Sequence, residues 1–235
     1  MIKYRRVLLK LSGEALAGGK GFGLDMKTVS SVCTVIKRCV DAGVQMGIVV
    51  GAGNFWRGVK DGGGIIERTR ADYMGMLATT MNALALADAL EKAGVKSCVQ
   101  TAIEMRQVAE PFVRDEAVRH LENGETVVFG CGTGCPFFST DTGAVLRGCE
   151  IAADIVLMAK NVDGIYDSDP KKNPAAKRYS VLTYDEILEK NLKAIDATAA
   201  ALARDNSMPC YAFALSDPEN ICRVVSGEDV GTLIR

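Results

Sequence analysis

Histidine is nearly absent from this sequence, since His120 is the only one among 235 residues. It falls inside an amphipathic helical pattern, and no G-x-S-x-G motif is present, so a Ser-His-Asp triad is not expected. A zinc site that combines His120 with Cys131 and Cys135 is disfavoured as well, because no second ligand pair stands at zinc-protein spacing. Hydrolysis by an activated serine and zinc chemistry are therefore poor explanations of this chain.

Net charge and long apolar runs are lacking too. The formal net charge is −1 at pH 7, which gives no long-range field to attract nucleic acid or an anionic membrane. No uninterrupted apolar stretch approaches the ~18 residues that cross a bilayer. Lys10 and Glu14 interrupt the short apolar run near the start, which argues against a signal peptide. We expect a cytoplasmic protein without a membrane or nucleic-acid partner, and small anionic ligands stay compatible with this composition.

Cysteine, in contrast, is plentiful, with eight residues scattered mostly through apolar segments rather than in close pairs. In a cytoplasmic chain such residues are expected to be reduced thiols that pack as small hydrophobic side chains. The cysteines therefore predict neither disulfides nor a metal centre.

Apolar runs and helical patterns alternate almost from end to end. The runs predict strands at Arg6–Leu11, Val44–Val50, Ser97–Thr101, Thr126–Phe129, Ile155–Met158, Cys210–Phe213 and Thr232–Ile234. Helices are predicted at about 25–43, 66–92, 114–122, 143–152, 184–189, 197–203 and 219–225, the first with Asp25 as its N-cap. This alternation, with strands apolar on both faces, implies a mostly parallel sheet covered by helices on both sides. Since no repeat or linker is evident, residues 1–235 are predicted to form one domain.

Glycine-rich and polar loops follow four of the predicted strands. They read "KLSGEA" after residues 6–11, "GAGNFWRG" after 44–50, "GCGTGCPFFSTD" after 126–129 and "AKNVDGIYDSDP" after 155–158. Each loop alone is consistent with an ordinary tight turn. In a parallel sheet, however, ligands collect where the strands end, so the four loops together predict one composite binding site.

Phosphoryl transfer is the chemistry that suits these loops. Glycine amides hold phosphate oxygens, and Lys10 and Arg57 supply positive charge where two strands end. The reaction needs donor and acceptor in line and the developing charge neutralised. Asp141 would hold Lys10 in position, act on the Mg²⁺ shell, or cap the following helix. The sequence does not separate these three roles.

Five segments resemble the bacterial uridylate (UMP) kinases of the amino-acid-kinase superfamily. They are "LLKLSGEAL", "GAGNFWRG", "ADYMGMLATTMNALAL", "GTGCPFFSTDTGAVLRGCEI" and "NVDGIYDSDP", and the resemblance covers essentially the whole chain. The patterns D-[HY]-M-G-M-L-A-T and G-T-G-x-P-F-F-[ST]-T-D are specific to that branch. The resemblance implies a three-layer αβα sandwich with a mostly parallel sheet of about eight strands. It also implies the reaction ATP + UMP → ADP + UDP with Mg²⁺, in pyrimidine nucleotide biosynthesis.

Individual roles follow from the same resemblance. The candidate catalytic residues are Lys10, Arg57 and Asp141. ATP would be bound by Lys10, Leu11, Ser12, Gly13, Gly53, Arg57, Lys160, Tyr166 and Asp169. UMP would be bound by Ala52, Asp72, Thr133, Gly134, Cys135, Pro136, Phe137, Phe138, Ser139 and Thr140, with residues 136–138 as an apolar wall. A possible effector loop comprises Gly18, Gly19, Lys20, Gly21, Phe22 and Gly23. No residue is assigned directly to the metal, which would arrive with ATP.

Several positions depart from the family pattern. Ala52 stands where many members have Gly, Cys135 replaces a common Asn, and Lys160 stands where Thr or Asn is frequent. Lys160 would add a charge near the donor or point to water. The positions that carry basic effector-site residues in some members are Ala87, Glu91 and Cys98 here. GTP activation is therefore not carried over to this chain.

Assembly and two rival functions complete the expectations. Family members commonly form hexamers of dimers, and the pattern at 74–89 is apolar nearly all round, as in an interface helix or a central core helix.

One alternative function is that of a kinase that acts on an amino acid or carbamate, against which Asp72 and the 133–140 loop argue. The other is a non-catalytic nucleotide-binding or storage protein of the same fold, against which Lys10, Arg57 and Asp141 argue.

Overall fold

A computed structural model of the chain describes residues 2–56, 64–168, 170, 172–190, 192 and 195–235. Its strands are β1 (Arg6–Leu11), β2 (Gln45–Val50), β3 (Ser97–Thr101), β4 (Glu110–Pro111), β5 (Thr126–Gly130), β6 (Ile155–Lys160), β7 (Val181–Leu182), β8 (Cys210–Ala214) and β9 (Gly231–Ile234). The α-helices are α1 (Gly13–Ala17), α2 (Met26–Asp41), α3 (Arg68–Lys92), α4 (Arg114–Glu122), α5 (Thr140–Glu150), α6 (Tyr184–Glu189), α7 (Ala197–Asp205) and α8 (Asn220–Ser226). Within these residues no helix combines the length and apolarity needed to cross a bilayer.

The strands form one sheet in the order β4-β3-β5-β2-β1-β6-β8-β9-β7. The first seven strands of that order are parallel, β9 pairs antiparallel with β8, and β7 runs parallel to β9. The expected mostly parallel sheet of about eight strands is confirmed, with nine strands among the described residues. The elements that the sequence did not predict are the five-residue α1 and the two-residue β4 and β7, which are too short to show a hydrophobic period.

Both faces of the sheet are buried, as the apolar strands predicted. In β1, Leu9 packs with the α1, α2, α3 and α8 layer, whereas Leu8 packs with the α4, α5, α6 and α7 layer. Successive side chains of a strand point to opposite faces, so Lys10 shares the face of Leu8. This confirms the three-layer sandwich and directs Lys10 toward the layer that contains α5.

Capping side chains explain where the helices start. Asp25 caps α2 as predicted, accepting a hydrogen bond from the Lys27 N–H at 3.2 Å. The hydroxyl of Ser139 accepts from the Thr142 N–H at 3.1 Å, so α5 begins at Thr140 rather than near the predicted residue 143. Ser139 satisfies an amide of the first turn, and Asp141 is therefore not the cap of this helix.

A buried hydroxyl in β9 fastens the chain segment that follows β6. Thr232 is fully buried. Its Oγ1 accepts a hydrogen bond from the Ile165 N–H at 2.9 Å and donates to the Tyr179 carbonyl at 2.5 Å. The two ends of the loop-rich stretch 165–179 are thereby held against the last strand.

Candidate active site

Four adjacent strands bring the polar loops together. The strands that precede the loops are β1, β2, β5 and β6, which lie side by side in the order β5-β2-β1-β6 and are all parallel. Their carboxyl ends therefore meet at one edge of the sheet, where open α/β folds bind ligands. The expectation that the loops gather at one place is confirmed.

Two lysines flank one carboxylate at this edge. Lys10 Nζ lies 3.0 Å from Asp141 Oδ1, and Lys160 Nζ lies 2.9 Å from Asp141 Oδ2. The side chains are 10%, 14% and 21% exposed for Lys10, Asp141 and Lys160. Lys160 shares a sheet face with Lys10, because the two strands are neighbours and Lys10 pairs with Met158, two residues before Lys160. The sequence left open whether Lys160 adds a charge near the donor or points to water. In the structure Lys160 contacts Asp141 instead of pointing to water.

The electrostatics of this cluster are set by burial and by the pairing. Burial alone would raise the pKa of Asp141, but the charges of Lys10 and Lys160 outweigh it and hold that pKa below its ordinary value. For Lys160, burial is the largest influence and the nearby charge of Lys10 adds to it, so its pKa is lowered despite Asp141. At neutral pH Asp141 is therefore ionised between two ammonium groups.

One oxygen of Asp141 keeps an acceptor position free. Oδ1 is buried and contacts Lys10 as an ion pair, but without hydrogen-bond alignment. Oxygen donors are what Mg²⁺ prefers, and this metal is commonly held by one or two carboxylates together with substrate phosphates. One carboxylate whose two oxygens contact two different lysines fits a metal delivered on a nucleotide, not an all-protein cage.

Gly13 allows the loops after β1 and β2 to touch. A Cβ atom there would lie 2.4 Å from Asn54 Oδ1 and 2.7 Å from the Gly53 nitrogen, which leaves no room for a side chain. Behind this contact, Asn54 and Asn82 form a reciprocal amide pair at 2.9 and 2.7 Å, and both are almost completely buried. Asn82 also donates to the Gly51 carbonyl at 2.7 Å. Helix α3 thus fixes the glycine loop.

A pocket of 320 Å³ opens beside these loops. Its lining includes eight residues of the predicted ligand sets, namely Ala52, Gly53, Asp72, Thr133, Cys135, Phe138, Ser139 and Thr140. It also includes Trp56, Met76, Thr79 and Cys131, which the sequence interpretation left out. The pocket joins both UMP-kinase-like motifs, since it is bounded by α3 on one side and by the 131–140 loop on the other.

Asp72 connects the two walls of that pocket. Its Oδ2 accepts a hydrogen bond from the Phe137 N–H at 2.8 Å and from Arg68 Nε at 2.8 Å. Phe137 has a φ of 71°, a left-handed conformation that is uncommon outside glycine, and its ring is 66% exposed. Phe137 therefore contributes to the pocket through its backbone, and Phe138 is the aromatic residue of the expected wall that lines it.

The remaining predicted residues are more dispersed. The side chain of Leu11 is buried in the core, so only its backbone is available to a ligand. Tyr166 is half-buried and donates a hydrogen bond to Asp163 at 2.8 Å. Arg57 and Asp169 lie outside the described residues. The predicted effector loop joins the site at Gly23, whose N–H donates to the Asn54 carbonyl at 3.0 Å.

A second cleft of 560 Å³ lies between α2 and the start of α8. Gly18 of the effector loop lines it, together with Glu14, Lys27 and Ser216. Of the described residues predicted to bind ATP, none is among its lining residues.

Two positioning residues escaped the sequence interpretation. Asn82 was taken as part of an apolar helix, although a single amide in such a pattern signals a buried hydrogen-bonding role. Asp196 accepts a hydrogen bond from Thr142 Oγ1 at 3.1 Å and from Ser139, and it also caps α7 through the Ala199 N–H. It thereby ties the start of α5 to α7.

His120 lies elsewhere, at the β3 edge. Its ring nitrogens contact Glu125 at 2.6 Å and Glu110 at 3.2 Å. Within the described residues, Cys98, His120 and Glu125 form the one group of three such side chains close enough to share an ion. His120 is thus not grouped with Cys131 or Cys135.

The fold and the site define a class of protein. Residues 5–213 match the family model described as the amino acid kinase family, and the chain belongs to this family.

Three solved structures are similar to this chain over nearly its whole length. A UMP kinase from Bacillus anthracis is 41% identical, with a TM-score of 0.95 over 99% of this chain and 96% of its own. A UMP kinase from Ureaplasma parvum is 34% identical, with a TM-score of 0.93 over 99% of each chain. A uridylate kinase from Archaeoglobus fulgidus is 29% identical, with a TM-score of 0.76 over 97% of this chain and 99% of its own. The resemblance to the UMP kinases is confirmed.

Proposed function

We propose that this protein transfers the γ-phosphoryl group of ATP to UMP, giving ADP and UDP. The observation that carries the proposal is the position of the 320 Å³ pocket. Ser139 and Thr140 line it, and the next residue, Asp141, joins Lys10 and Lys160. An acceptor phosphate in this pocket would face two positive charges. Such charges stabilise a transferring phosphoryl group without covalent participation of the protein.

Each charged residue has a distinct part in this scheme. Lys10, fixed at the end of β1, neutralises the charge that develops on the transferred group. Asp141 orients both lysines through its two oxygens and keeps them from repelling each other. Lys160 adds charge from the β6 side. Arg57 is assigned to the donor phosphates by the family resemblance.

Mg²⁺ fits this site through Asp141. Oδ1 of Asp141 is the buried carboxylate oxygen without a hydrogen bond, so it would hold the ion or a water of its shell. When bound, Mg²⁺ supplies charge neutralisation on the phosphate oxygens of ATP.

Selectivity for UMP is assigned to the pocket. Asp72 and Thr133 offer polar contacts and Phe138 an apolar one. A pocket that hydrogen-bonds its ligand rejects analogues with the wrong donors and acceptors, because its buried polar groups are then left unpaired. The donor nucleoside is assigned to Tyr166, Asp169 and position 160 by the resemblance.

Coupled measurement of ADP release tests the proposal. Mg-ATP is supplied with UMP, CMP, aspartate, glutamate or carbamate, and the product is identified as UDP. We expect turnover with UMP to exceed that with each other acceptor. Comparable turnover with a carboxylate would reassign the acceptor, and tight ATP binding without UDP formation would favour a storage protein.

We further propose a cytoplasmic homohexamer that acts in pyrimidine nucleotide biosynthesis and forms one domain with an acceptor half and a donor half. A stripe of exposed apolar side chains on α3 supports the subunit contact. It consists of Met74, Leu77, Met81 and Leu84, which are 39%, 51%, 52% and 38% exposed. Their spacing of three and four places them on one helix face, and light scattering measures the mass directly.

A further inference from the structure

The sulfur atoms of two cysteines nearly touch where α2 packs against α8. Cys39 Sγ and Cys222 Sγ lie 3.0 Å apart although the residues are 183 positions apart in sequence. Cys39 is 3% exposed and Cys222 is partly exposed. One thiol of the pair is thus open to small reagents, and the other lies directly behind it.

The surroundings of the two thiols differ, and they shift the two pKa values in opposite directions. The hydrogen bond from Cys39, followed by the contact of Arg38 at 3.7 Å, lowers the pKa of Cys222 well below its ordinary value. Burial and the charge of Glu219 oppose this shift and are outweighed. The hydrogen bond to Cys222 and burial raise the pKa of Cys39. Cys222 is therefore the thiolate, and Cys39 stays protonated.

The other partly exposed cysteines do not share this arrangement. Burial raises the pKa of Cys149, with the charge of Glu150 adding to the effect. Burial likewise raises the pKa of Cys98 to about 12. Since the thiolate is the reactive form, both residues are poor nucleophiles at neutral pH.

We propose that Cys39 and Cys222 form a redox-reversible modification site that hydrogen peroxide converts into an intramolecular disulfide. The Cys222 thiolate attacks one peroxide oxygen, the O–O bond breaks, and the leaving hydroxide takes up a proton to become water. The product is a sulfenic acid on Cys222. Cys39 Sγ then attacks Cys222 Sγ, an S–S bond replaces the S–O bond, and hydroxide leaves with the Cys39 proton as a second water. Two thiols are oxidised while one peroxide is reduced.

The bond would join the two helices that border the 560 Å³ cleft. Val32 of α2 and Pro218, two residues before α8, both line this cleft. A cross-link between residues 183 positions apart constrains the unfolded chain strongly. We expect oxidation to raise the melting temperature by about 5 to 10 °C in a chain of this length, and a dithiol reductant to reverse the rise.

Peptide mapping tests the site independently of kinase activity. The reduced full-length protein is treated with one equivalent of hydrogen peroxide at pH 7, alkylated, digested and analysed by mass spectrometry without reduction. We expect a linked pair of peptides containing Cys39 and Cys222 as the main oxidised product. Recovery of both peptides as alkylated free thiols, or Cys39 linked to another residue, would overturn the proposal.

Three variants assign the roles. Cys39→Ser should stop the reaction at a sulfenic acid on Cys222, which dimedone traps, and Cys222→Ser should leave Cys39 unoxidised. Cys149→Ser is the matched control and should form the linked peptides as the wild type does. Equal dimedone labelling of Cys149 and Cys222 in the Cys39→Ser protein would contradict the assignment of Cys222 as the reactive thiol.

Discussion

The 320 Å³ pocket and the described residues of the segment 161–180 adjoin the same cluster of lysines but are built differently. The pocket rests on buried side chains from distant parts of the chain, such as the Asn54 and Asn82 pair. The described residues of the segment are mostly exposed, and many of their side-chain bonds are local, as between Tyr166 and Asp163. We therefore expect packing to set the geometry of the pocket proposed for UMP, whereas the segment proposed for ATP depends on surface turns with a buried anchor at Thr232.

This difference has an energetic consequence. A buried amide that loses its partner costs about 1–3 kcal/mol, because neither water nor another group replaces the bond. An exposed hydrogen bond exchanges with water at little net cost. Substitutions on the acceptor side should thus change stability and activity together, while those in the segment should change affinity for ATP alone.

The largest effect is expected at the centre of the cluster. Lys10→Ala should lower kcat about 10²- to 10³-fold, because its charge matters most in the transition state. Lys160→Ala should lower kcat about tenfold, since Lys10 remains to neutralise charge. Steady-state kinetics with ATP and UMP measure both. An equal loss in the ground-state affinity for UMP would argue against the catalytic role of Lys10.

Asp141→Asn tests how Asp141 pairs with Lys10 and Lys160. Removing the carboxylate leaves two lysines in a mostly buried cluster, so the variant should be less stable at pH 7 by about 3 kcal/mol. The pKa of Asp141 is lowered in the folded state, so its contribution is complete above the ordinary value of 3.8 and is lost as the pH falls through the folded pKa.

Denaturant titrations of the wild type and Asp141→Asn across acid pH measure this dependence. The stability difference should shrink only below pH 3.8. A difference that is constant down to the folded pKa and beyond would show that Asp141 does not act through its charge.

Gly13→Ala should disturb the contact between the loops after β1 and β2 next. The added Cβ would lie 2.4 Å from Asn54 Oδ1, so overpacking should lower stability by about 2 kcal/mol and reduce activity in parallel. Gly19→Ala is the matched control, since a Cβ there meets nothing within 4 Å. Thermal melts of the two variants separate crowding from a general cost of losing glycine.

Asp72→Asn should weaken the acceptor side in a more limited way. The amide oxygen can still accept from the Phe137 N–H, but the negative charge is lost. We expect KM for UMP to rise about tenfold, as hydrogen bonds to charged groups contribute about 1.5–3 kcal/mol. Arg68→Gln serves as the comparison, because it removes the charged partner of Asp72 and leaves the negative charge of Asp72 in place. If UMP affinity does not change in Asp72→Asn, the residue does not contact the acceptor.

Tyr166→Phe should have the smallest effect. It removes an exposed hydrogen bond to Asp163, so KM for ATP should rise about twofold, with the melting temperature and KM for UMP unchanged. A change in KM for UMP of similar size would mean that the two sides are coupled more tightly than their hydrogen bonds suggest.

Much of this architecture follows from local patterns. Strand positions were predictable because the buried runs are continuous and end in glycine-rich turns. The alternation of side chains along β6 also indicates the direction of Lys160, because a residue two places after Met158 must face the same helical layer. This alternation directs Lys160 toward the layer that contains Asp141, although the sequence interpretation left the direction of Lys160 open.

Other features depend on contacts that no local pattern encodes. The amides of Asn54 and Asn82 meet because the rotation of α3 about its axis places one residue of the helix under the loop after β2. The contact of Cys39 with Cys222 depends in the same way on how two helices cross. The start of α5 was missed for a simpler reason, because Ser139 and Thr140 are equally typical of loops and of helix caps.

Thr232 also sets an order of events during synthesis. Its hydroxyl holds Ile165 and Tyr179, which leave the ribosome 67 and 53 residues earlier. Until β9 emerges, a nascent chain contains the strands and helices around the pocket proposed for UMP but lacks the anchor of the segment proposed for ATP. We therefore expect the pocket to be assembled during synthesis before the segment proposed for ATP is anchored.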